Sequence, residues 1–325
     1  MAAARTALEQ ILRAELGGAV LQGAQRLAAE VRARHADAVV AVLFYGSCLR
    51  RGTTEGVLDF YALTSGYRAA YRSAFPALLG AALPPNVHYL ELPAENLRAK
   101  YALISLANFT HRATLASLDC RIWSRFCQPA RVVFARDEAT RRAIVSAAAE
   151  AATTMAARML AWAPGGARER ELETPALWAR AFGETYRAEL RSESPATIEA
   201  IAAADPARYD AVARVALGVL AERGEIEVLG AAGFDSGAAL RVAQAPASLA
   251  RARRAWRVRR PIAKALAIAG LLKTAFTFQG WLPYVVWKLE RHSGAKIALT
   301  ERQRRRPFLY AWPVIFRLLR SGVLR

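Results

Sequence analysis

The sequence contains little cysteine, and this scarcity limits which kinds of protein it can be. Its 325 residues include three cysteines, Cys48, Cys120 and Cys127. The number is odd and no CxxC pair occurs, so we expect no disulfide framework and a reducing compartment. The spacing of Cys120, Cys127 and His111 matches no common zinc site. We therefore predict buried structural cysteines rather than metal ligands.

A recognisable targeting segment is also missing from the first residues. The stretch "MAAARTALEQILRAELGG" has no continuous apolar core of signal-peptide type. Glu9 and Glu15 argue against a transit peptide, because transit peptides are poor in acidic residues. Residues 5–33 have the spacing of one or two amphipathic helices. With the high content of Ala and Arg, these features favour a bacterial protein in the cytoplasm.

Acidic residues are scarce in the last quarter of the chain. Residues 251–325 hold 18 Lys and Arg but only Glu290 and Glu301, so they carry +16 of the net charge of +19. The first 250 residues are nearly neutral, at +3. Basic segments attract anionic lipid, nucleic acid or phosphorylated substrates. The charge therefore belongs to one segment, which needs its own explanation.

This basic tail also lacks an uninterrupted apolar run. Residues 262–287 are long enough to span a bilayer, but Lys264 and Lys273 interrupt them, each at about 2.5–3.5 kcal/mol at a membrane centre. Gly280 and Pro283 weaken a single helix further. Arginines beside Trp, Phe and Leu are typical of a segment in the headgroup layer. We favour a peripheral membrane anchor over a spanning helix, a basic helical hairpin packed on the body or a nucleic-acid-binding tail.

The chain does contain enough apolar residues for a sizeable core. Hydrophobic residues make up 54% and charged residues 22%, which excludes a disordered chain. Strand-like and helical patterns alternate at first, and helical spacing then dominates. We predict an α/β (α+β) domain at 1–137, a mostly helical domain, of winged-helix type as one option, at 138–250, and a basic amphipathic tail at 251–325.

Within the first domain the apolar runs predict individual elements. A helix is predicted at 66–82, and a polar turn at 93–100. Residues 226–250 are predicted to be a weakly patterned connector. The predicted strands are 38–47, 57–63, 86–92, 101–106 and 130–137.

One strand–loop–strand segment, "FYGSCLRRGTTEGVLDFYALT" at 44–64, has residues suited to phosphate chemistry. Gly46 permits close approach of the backbone to a triphosphate, and Ser47 could donate hydrogen bonds from its backbone N–H and its hydroxyl to phosphate oxygens. Asp59, the single acid of the second strand, could hold magnesium. Many nucleotidyltransferases have a second carboxylate two residues on, where this chain has Tyr61. The alternative is an ordinary turn with an aspartate at a sheet edge.

Taken with later segments, this stretch resembles the mitochondrial-type phosphatidate cytidylyltransferases, the translocator assembly and maintenance family. That family has Tyr-Gly-Ser, a loop, and Leu-Asp followed by apolar and aromatic residues. Further similar segments follow in the family's order: "VHYLEL", "RAKYALIS", "WSRFCQPARVV", "ETYRAELRSE" and "VRRPIAKALAIAGLLKTAFTF". Within the first three of these segments, this chain has Leu90, Ala102 and Gln128 where the family has Ser, Gly and Lys.

The resemblance implies a nucleotidyltransferase fold and a reaction. CTP and phosphatidate would give CDP-diacylglycerol and pyrophosphate with Mg²⁺, at the inner face of the cell membrane. The partners would be CTP, phosphatidate and an anionic membrane surface, without nucleic acid. The implied catalytic residues are Asp59, Lys100 and Glu189, and the implied nucleotide-binding residues are Gly46, Ser47, Lys100, Arg125 and Arg191.

Several candidate residues have plain structural alternatives. Asp59 is the predicted magnesium ligand, and Glu91 is a second candidate or a solvated strand end. Lys100 could be an exposed loop lysine, and Arg125 a salt-bridged structural arginine. His88 is predicted to be a core or turn histidine rather than a general base. Predicted lipid and membrane contacts are Lys273, Arg257, Arg259, Arg260, Trp281, Trp287 and Trp312; for the tryptophans, packing on the helical domain is the alternative.

Two other functions fit the same residues. A nucleotidyltransferase could use another lipid phosphate, a sugar phosphate or an RNA end as acceptor, although the hydrophobic basic tail disfavours soluble acceptors. Alternatively, the departures from the family pattern fit a catalytically inactive, membrane-bound scaffold of the same fold. The scaffold predicts no magnesium-dependent binding of CTP.

Overall fold

The computed structural model describes most of the chain and has a mixed α/β architecture, as predicted. The described residues are 3–71, 73–162, 169–172, 174–189, 194–229, 240–244, 246–277 and 300–301. Arg191, Trp281, Trp287 and Trp312, for which site roles were predicted, lie outside these residues.

Within these ranges the α-helices are α1 Ala3–Leu16, α2 Gln22–His35, α3 Ser47–Arg51, α4 Tyr67–Ala70, α5 Ala74–Ala82, α6 Leu106–Arg112, α7 Trp123–Phe126, α8 Glu138–Met159, α9 Thr174–Ala188, α10 Pro195–Ala203, α11 Pro206–Glu222 and α12 Pro246–Thr277.

A five-stranded sheet organises the first part of the molecule. Its strands are β1 Val39–Tyr45, β2 Leu58–Thr64, β3 Asn86–Leu92, β4 Leu97–Ser105 and β5 Ala130–Ala135. Their spatial order is β3-β4-β2-β1-β5, in which β2 and β4 run parallel and the other neighbours antiparallel. Strands β1 and β2 are largely buried on both faces, because helices cover both sides of the sheet.

Two hydrophobic clusters sandwich this sheet. On one face, α2 packs Leu27 and Val31 against Phe44 and Phe60. On the other face, a larger cluster joins Leu43 and neighbouring strand residues to α1, α8, α9 and α11. This second cluster is continuous across residues 137 and 138, and the division of the chain into domains there stays a prediction.

Two long helices after the sheet, α8 and α11, begin at side-chain caps that the sequence contains. Asp137 accepts a hydrogen bond from the Thr140 N–H at the start of α8, and Asp205 accepts from the Arg208 N–H at the start of α11. The alanine-rich α8 is buried over much of its circumference, which allows neighbouring helices to approach closely. These helices form a layer behind the sheet.

Three predicted elements differ from the structure. The helix predicted over 66–82 is split into α4 and α5, because Pro76 has no N–H to bond the carbonyl four residues earlier and is accommodated in the first turn of α5. The polar turn predicted over 93–100 ends at Asn96, whose φ of 51° reverses the chain, and β4 begins at the buried Leu97. Lys100 therefore lies on a strand.

The third difference is a small sheet that the sequence analysis missed. It has the order β6-β8-β7, with β6 at Glu169–Leu172, β7 at Glu227–Leu229 and β8 at Leu240–Ala243. Strands of three or four residues are too short to show an alternating pattern. The predicted connector at 226–250 thus contains two strands and the start of α12, a helix that begins at Pro246 and not at the predicted tail boundary.

Candidate functional site

The end of β1 and the start of β2 bring Gly46 and Asp59 together. Antiparallel pairing places Asp59 opposite Tyr45, the residue before Gly46. Gly46 has a φ of 91°, and a Cβ there would lie 2.9 Å from the Asp59 Oδ2 atom. Both the left-handed backbone and the close carboxylate require glycine. The predicted proximity of the Gly-Ser step and the aspartate is therefore present in the structure.

Lys100 reaches the same carboxylate from the neighbouring strand. Parallel pairing of β2 and β4 sets Lys100 beside Asp59, and its Nζ lies 3.1 Å from Asp59 Oδ1. The side chains are 38% and 25% exposed, respectively. The pair is thus half-open to solvent, where a bound anion could displace one of its contacts.

Ser47 and Cys48 begin the short helix that follows Gly46. Ser47 is exposed, and its carbonyl accepts a hydrogen bond from Arg51 Nε at 3.4 Å. Cys48 is buried and donates from Sγ to the Val57 carbonyl at 3.5 Å, and burial raises the pKa of its thiol. The buried Cys48 side chain therefore anchors the loop between β1 and β2, while Ser47 is exposed to solvent. The role of Ser47 in binding phosphate stays a prediction.

Glu91 lies on the same sheet face as Asp59 but is paired elsewhere. Arg98 is its register partner and donates from Nε to Glu91 Oε1 at 2.9 Å. From ordinary strand spacings, the Cα atoms of Glu91 and Asp59 are about 12 Å apart, two strands and two residues away. Its role as a second magnesium ligand stays a prediction.

Arg125 and Glu189, predicted from separate segments, form one buried ion pair. Arg125 donates to Glu189 from both Nη1, at 3.1 Å, and Nη2, at 2.7 Å, and Ser124 Oγ donates to the same carboxylate at 3.1 Å. Their side chains are 16% and 7% exposed. Burial lowers the pKa of Arg125, but Glu189 outweighs it and the pKa lies well above the ordinary value.

Glu189 lies just beyond the end of a helix. Helix α9 ends at Ala188, so Glu189 lies in the turn after the helix and not within it. The turn is held by the Glu189 N–H, which donates to the carbonyls of Thr185 and Tyr186. This placement lets its carboxylate reach α7, where Arg125 lies.

Aromatic rings fill the space beside both ion pairs. Tyr61, at the position where many nucleotidyltransferases have a second carboxylate, packs its ring 5.1 Å from that of Phe126 and 5.4 Å from that of Tyr45. Burial raises the pKa of Tyr61, and Arg125 partly opposes this effect. Tyr61 therefore belongs to the packing between the half-open pair and the buried pair.

One charged cluster near this packing was missed by the sequence analysis. Asp119 is 3% exposed and forms ion pairs with Arg112 and with Arg121, the latter at 2.9 Å. Burial raises the pKa of Asp119, but the two arginines outweigh it and hold the pKa below its ordinary value. The one available signal was an aspartate with an arginine on each side of it in sequence, Arg112 and Arg121.

The predicted lipid contacts on α12 have mixed surroundings. Arg259 donates to the Ser117 and Leu115 carbonyls at 3.1 and 2.8 Å, and Arg260 pairs with Glu184.

Lys273, farther along α12, is buried and donates to the carbonyls of Leu83 and Pro85. Burial, with Arg121 and Arg112 nearby, lowers its pKa to about 8. Arg257 is exposed. The first part of the tail thus packs on the body, and its role at a membrane stays a prediction.

The described residues contain no group of three His, Cys, Asp or Glu side chains placed to hold an ion. All three cysteines are buried, as predicted. His88 is buried as well, stacks on Tyr101 at 5.0 Å and has a pKa lowered to about 3, chiefly by burial. Within the described ranges, each helix is too short or too polar to cross a membrane.

Comparisons with known proteins add little to this geometry. No family model matches the chain, and no curated protein matches it. Among solved structures, it is similar to a nucleotidyltransferase-like protein from Exiguobacterium sibiricum, with a TM-score of 0.28 and 8% sequence identity. The similarity covers 68% of this chain and 99% of that one. A TM-score of this size does not establish a shared fold.

Proposed function

We propose that the protein is a magnesium-dependent nucleotidyltransferase. The observation that carries the proposal is the half-open Asp59 carboxylate, which has the Gly46 backbone on one side and Lys100 Nζ at 3.1 Å on the other. A carboxylate, a lysine and an unobstructed backbone segment are the groups that phosphoryl chemistry needs. They converge from three different segments of the chain.

The donor set fits a magnesium ion that is shared with substrate. Mg²⁺ often takes one or two protein carboxylates and completes its shell with substrate phosphates and water. Asp59 would supply the protein ligand, and the bound ion would neutralise phosphate charge during transfer. Lys100 would then turn from Asp59 to a phosphate oxygen of the nucleotide. Ser47 and Gly46 would support the triphosphate from the start of α3.

The reaction needs little proton transfer from the protein. An ionised phosphate oxygen of the acceptor attacks the α-phosphorus of the nucleotide, and one P–O bond forms. The bond from that phosphorus to the β-phosphate oxygen breaks, and pyrophosphate leaves with the electron pair. The acceptor oxygen carries no proton, so no general base is required. This agrees with the buried position of His88.

For the substrates, we propose CTP and phosphatidate. The support is the ordered set of segments that resemble the mitochondrial-type phosphatidate cytidylyltransferases, together with a tail that carries +16 of the net charge. A lipid acceptor requires an enzyme at a membrane surface, and cationic segments with Trp and Leu bind anionic surfaces. We place the protein in the bacterial cytoplasm, peripheral on the inner face of the membrane.

One observation favours the inactive scaffold as the second candidate. In the part of the chain that the structure describes, Asp59 has no second carboxylate beside it, since Glu91 pairs with Arg98 and Glu189 with Arg125. A scaffold would keep the fold and the basic tail while binding no CTP–magnesium complex.

The deciding experiment measures pyrophosphate release from CTP and from ATP with magnesium, on liposomes with and without phosphatidate. Release that requires both CTP and phosphatidate is the expected result. Release with another lipid phosphate would keep the transferase and change the acceptor. No release with either nucleotide, by a protein that still binds liposomes, would favour the scaffold.

A further inference from the structure

Two arginines on different helices converge on one loop at a distance along the chain from Asp59. Arg158, near the end of α8, donates from Nη2 to the Leu115 carbonyl at 2.9 Å. Arg259 of α12 donates from its own Nη2 to the same oxygen at 2.8 Å, and from Nε to the Ser117 carbonyl at 3.1 Å. Because both nitrogens contact one oxygen, they lie within about 6 Å of each other.

The packing of the two helices fixes these side chains in place. On α8, Thr154 lies one turn before Arg158 and donates to the Ala113 carbonyl at 2.9 Å. On α12, Trp256 and Ala263 are buried and lie on the same side of the helix as Arg259. Both arginines are therefore directed at the loop by the helix faces that carry them.

The positive charge of this pair is not balanced within the described residues. Arg158 is 8% exposed, and its Nε is buried without a hydrogen-bond partner. Neither arginine forms an ion pair there; Glu225 acts on Arg158 from a distance. Burial lowers the pKa of both groups, that of Arg158 to about 10, and Arg259 adds to the effect on Arg158. A buried cation beside a half-buried one, without a carboxylate between them, is unfavourable unless an anion joins them.

The surroundings of the pair indicate what kind of anion fits. Two planar guanidinium groups match the geometry of phosphate oxygens. Leu118, next to Ser117, is 52% exposed, and Val258, next to Arg259, is 53% exposed. An exposed apolar side chain thus lies on two of the three segments that form the site, the loop and α12, as contact with a lipid would require.

We propose that Arg158 and Arg259 form a binding site for a phosphate group, with Leu118 and Val258 favouring a phospholipid as its source. The site shares no residue with the Asp59–Lys100 pair. Its test measures binding alone, so it can fail while the proposed nucleotidyl transfer holds, and the reverse.

The test compares the purified full chain with Arg259→Gln and with Arg254→Gln. Arg254 is exposed on the same helix and has no hydrogen bond or ion pair with the described residues, so its substitution removes the same charge. Inorganic phosphate is titrated at constant ionic strength, and thermal unfolding reports binding. We expect Arg259→Gln to weaken phosphate binding about tenfold and Arg254→Gln to leave it unchanged.

A vesicle arm identifies the source of the phosphate. Flotation with phosphatidylcholine vesicles is compared with and without phosphatidate. Binding to phosphatidate vesicles that Arg259→Gln weakens, with little response to inorganic phosphate, assigns the site to lipid; equal response to both assigns it to a free phosphate group. Either result supports the proposal.

Other results would overturn it. Equal losses in Arg259→Gln and Arg254→Gln would mean that only net charge matters, and no response to phosphate or phosphatidate would mean that no site exists. Arg259→Lys provides a further check, because it keeps the charge but not the planar fork. We expect it to weaken binding, and wild-type binding would contradict the proposal. Circular dichroism of each variant excludes loss of folding as the cause.

Discussion

Two ion pairs on the same side of the sheet were both predicted to act in catalysis, and the structure places them in different surroundings. Asp59 and Lys100 meet at 3.1 Å, with 25% and 38% of their side chains exposed, respectively. Arg125 and Glu189 meet twice, at 2.7 and 3.1 Å, and are largely buried. A half-open pair can exchange partners with a substrate at small cost, whereas a buried pair cannot lose a partner without leaving a charge uncompensated.

This difference suggests separate roles for the two pairs. The half-open Asp59–Lys100 pair would take part in the reaction. The buried Arg125–Glu189 pair would hold α7 against the end of α9. Predicted effects on activity and on stability should therefore separate.

Replacing Asp59 gives the largest expected effect, and it should fall on activity alone. Asp59→Asn removes the proposed magnesium ligand, so we expect pyrophosphate release to fall about a thousandfold. Because the ion pair is partly exposed, the free energy of unfolding should change by less than about 1 kcal/mol. Pyrophosphate assays and urea unfolding measure the two quantities, and liposome binding should stay intact.

Two acidic variants serve as comparisons for Asp59→Asn. Asp37 is exposed, and Asp37→Asn should behave as wild type. Glu91→Gln should keep most activity, because Glu91 is paired with Arg98. A loss at Glu91 equal to that at Asp59 would identify Glu91 as the second metal ligand, and unchanged turnover in Asp59→Asn would refute the metal assignment.

Replacing Glu189 should instead reduce stability. Glu189→Gln leaves Arg125 buried without its carboxylate, and we expect the free energy of unfolding to fall by about 3 kcal/mol. Replacing both residues with apolar side chains should recover part of this loss, because no buried charge then remains. Urea unfolding of the single and double variants measures the coupling.

Lys100→Met is the matched test on the open pair. It also removes one partner of an ion pair, but its site is partly exposed, so less than about 1 kcal/mol of stability should be lost. The comparison between the two pairs breaks down if Glu189→Gln keeps wild-type stability and abolishes turnover. That result would make Glu189 the catalytic residue that the family resemblance implies.

Much of this arrangement could be predicted from the sequence because it depends on local patterns. The apolar run at 38–47 ends in glycine, and Asp59 follows in the next run, so an antiparallel hairpin brings them together. The ion-pair partners could not be predicted in the same way. Lys100 reaches Asp59 through a parallel pairing across about forty residues, and Arg125 reaches Glu189 across sixty-four.

Short elements and buried charged residues were the main failures. Strands β7 and β8 have three and four residues, too few for an alternating pattern. Asp119 looks like an ordinary polar residue in sequence, and its burial beside Arg112 and Arg121 depends on how this segment packs on the rest of the molecule. Tertiary packing determined these features, and no local propensity encodes them.

His88 extends the comparison to a buried ionisable group without a charged partner. Its pKa is about 3 in the folded protein and about 6.5 when unfolded, so the unfolded chain takes up the proton first as the pH falls. Stability from this residue is fully present above pH 6.5 and is lost toward pH 3. Between pH 6.5 and 5 we expect a loss of about 2 kcal/mol, measured by urea unfolding.

His88→Phe should flatten this pH dependence, because phenylalanine keeps the stacking on Tyr101 but cannot be protonated. Some slope should remain, since burial also lowers the pKa of His35. His111 is exposed, and His111→Gln should keep the wild-type slope. An unchanged slope in His88→Phe would show that another group controls stability in this range.

The smallest expected effect is at Gly46, where activity and stability should both change. Gly46→Ala forces an L-residue to a φ of 91° and puts a Cβ 2.9 Å from Asp59 Oδ2. The backbone strain should reduce stability by about 1–2 kcal/mol. Displacement of the carboxylate should reduce pyrophosphate release about tenfold, because reacting groups tolerate little misplacement.

Gly52 helps to separate the two causes, since it also has a positive φ but lacks the contact. Its φ is 62° and its ψ is 35°, in the left-handed helical region, and a Cβ there would meet no atom within 4 Å. Gly52→Ala should therefore lose about 1 kcal/mol of stability, less than Gly46→Ala, and keep its activity. If both variants lose activity equally, the loop conformation matters rather than the approach of Gly46 to Asp59. If neither loses activity, the Asp59 carboxylate does not need the position that the structure gives it, and the open pair would no longer mark the reacting centre.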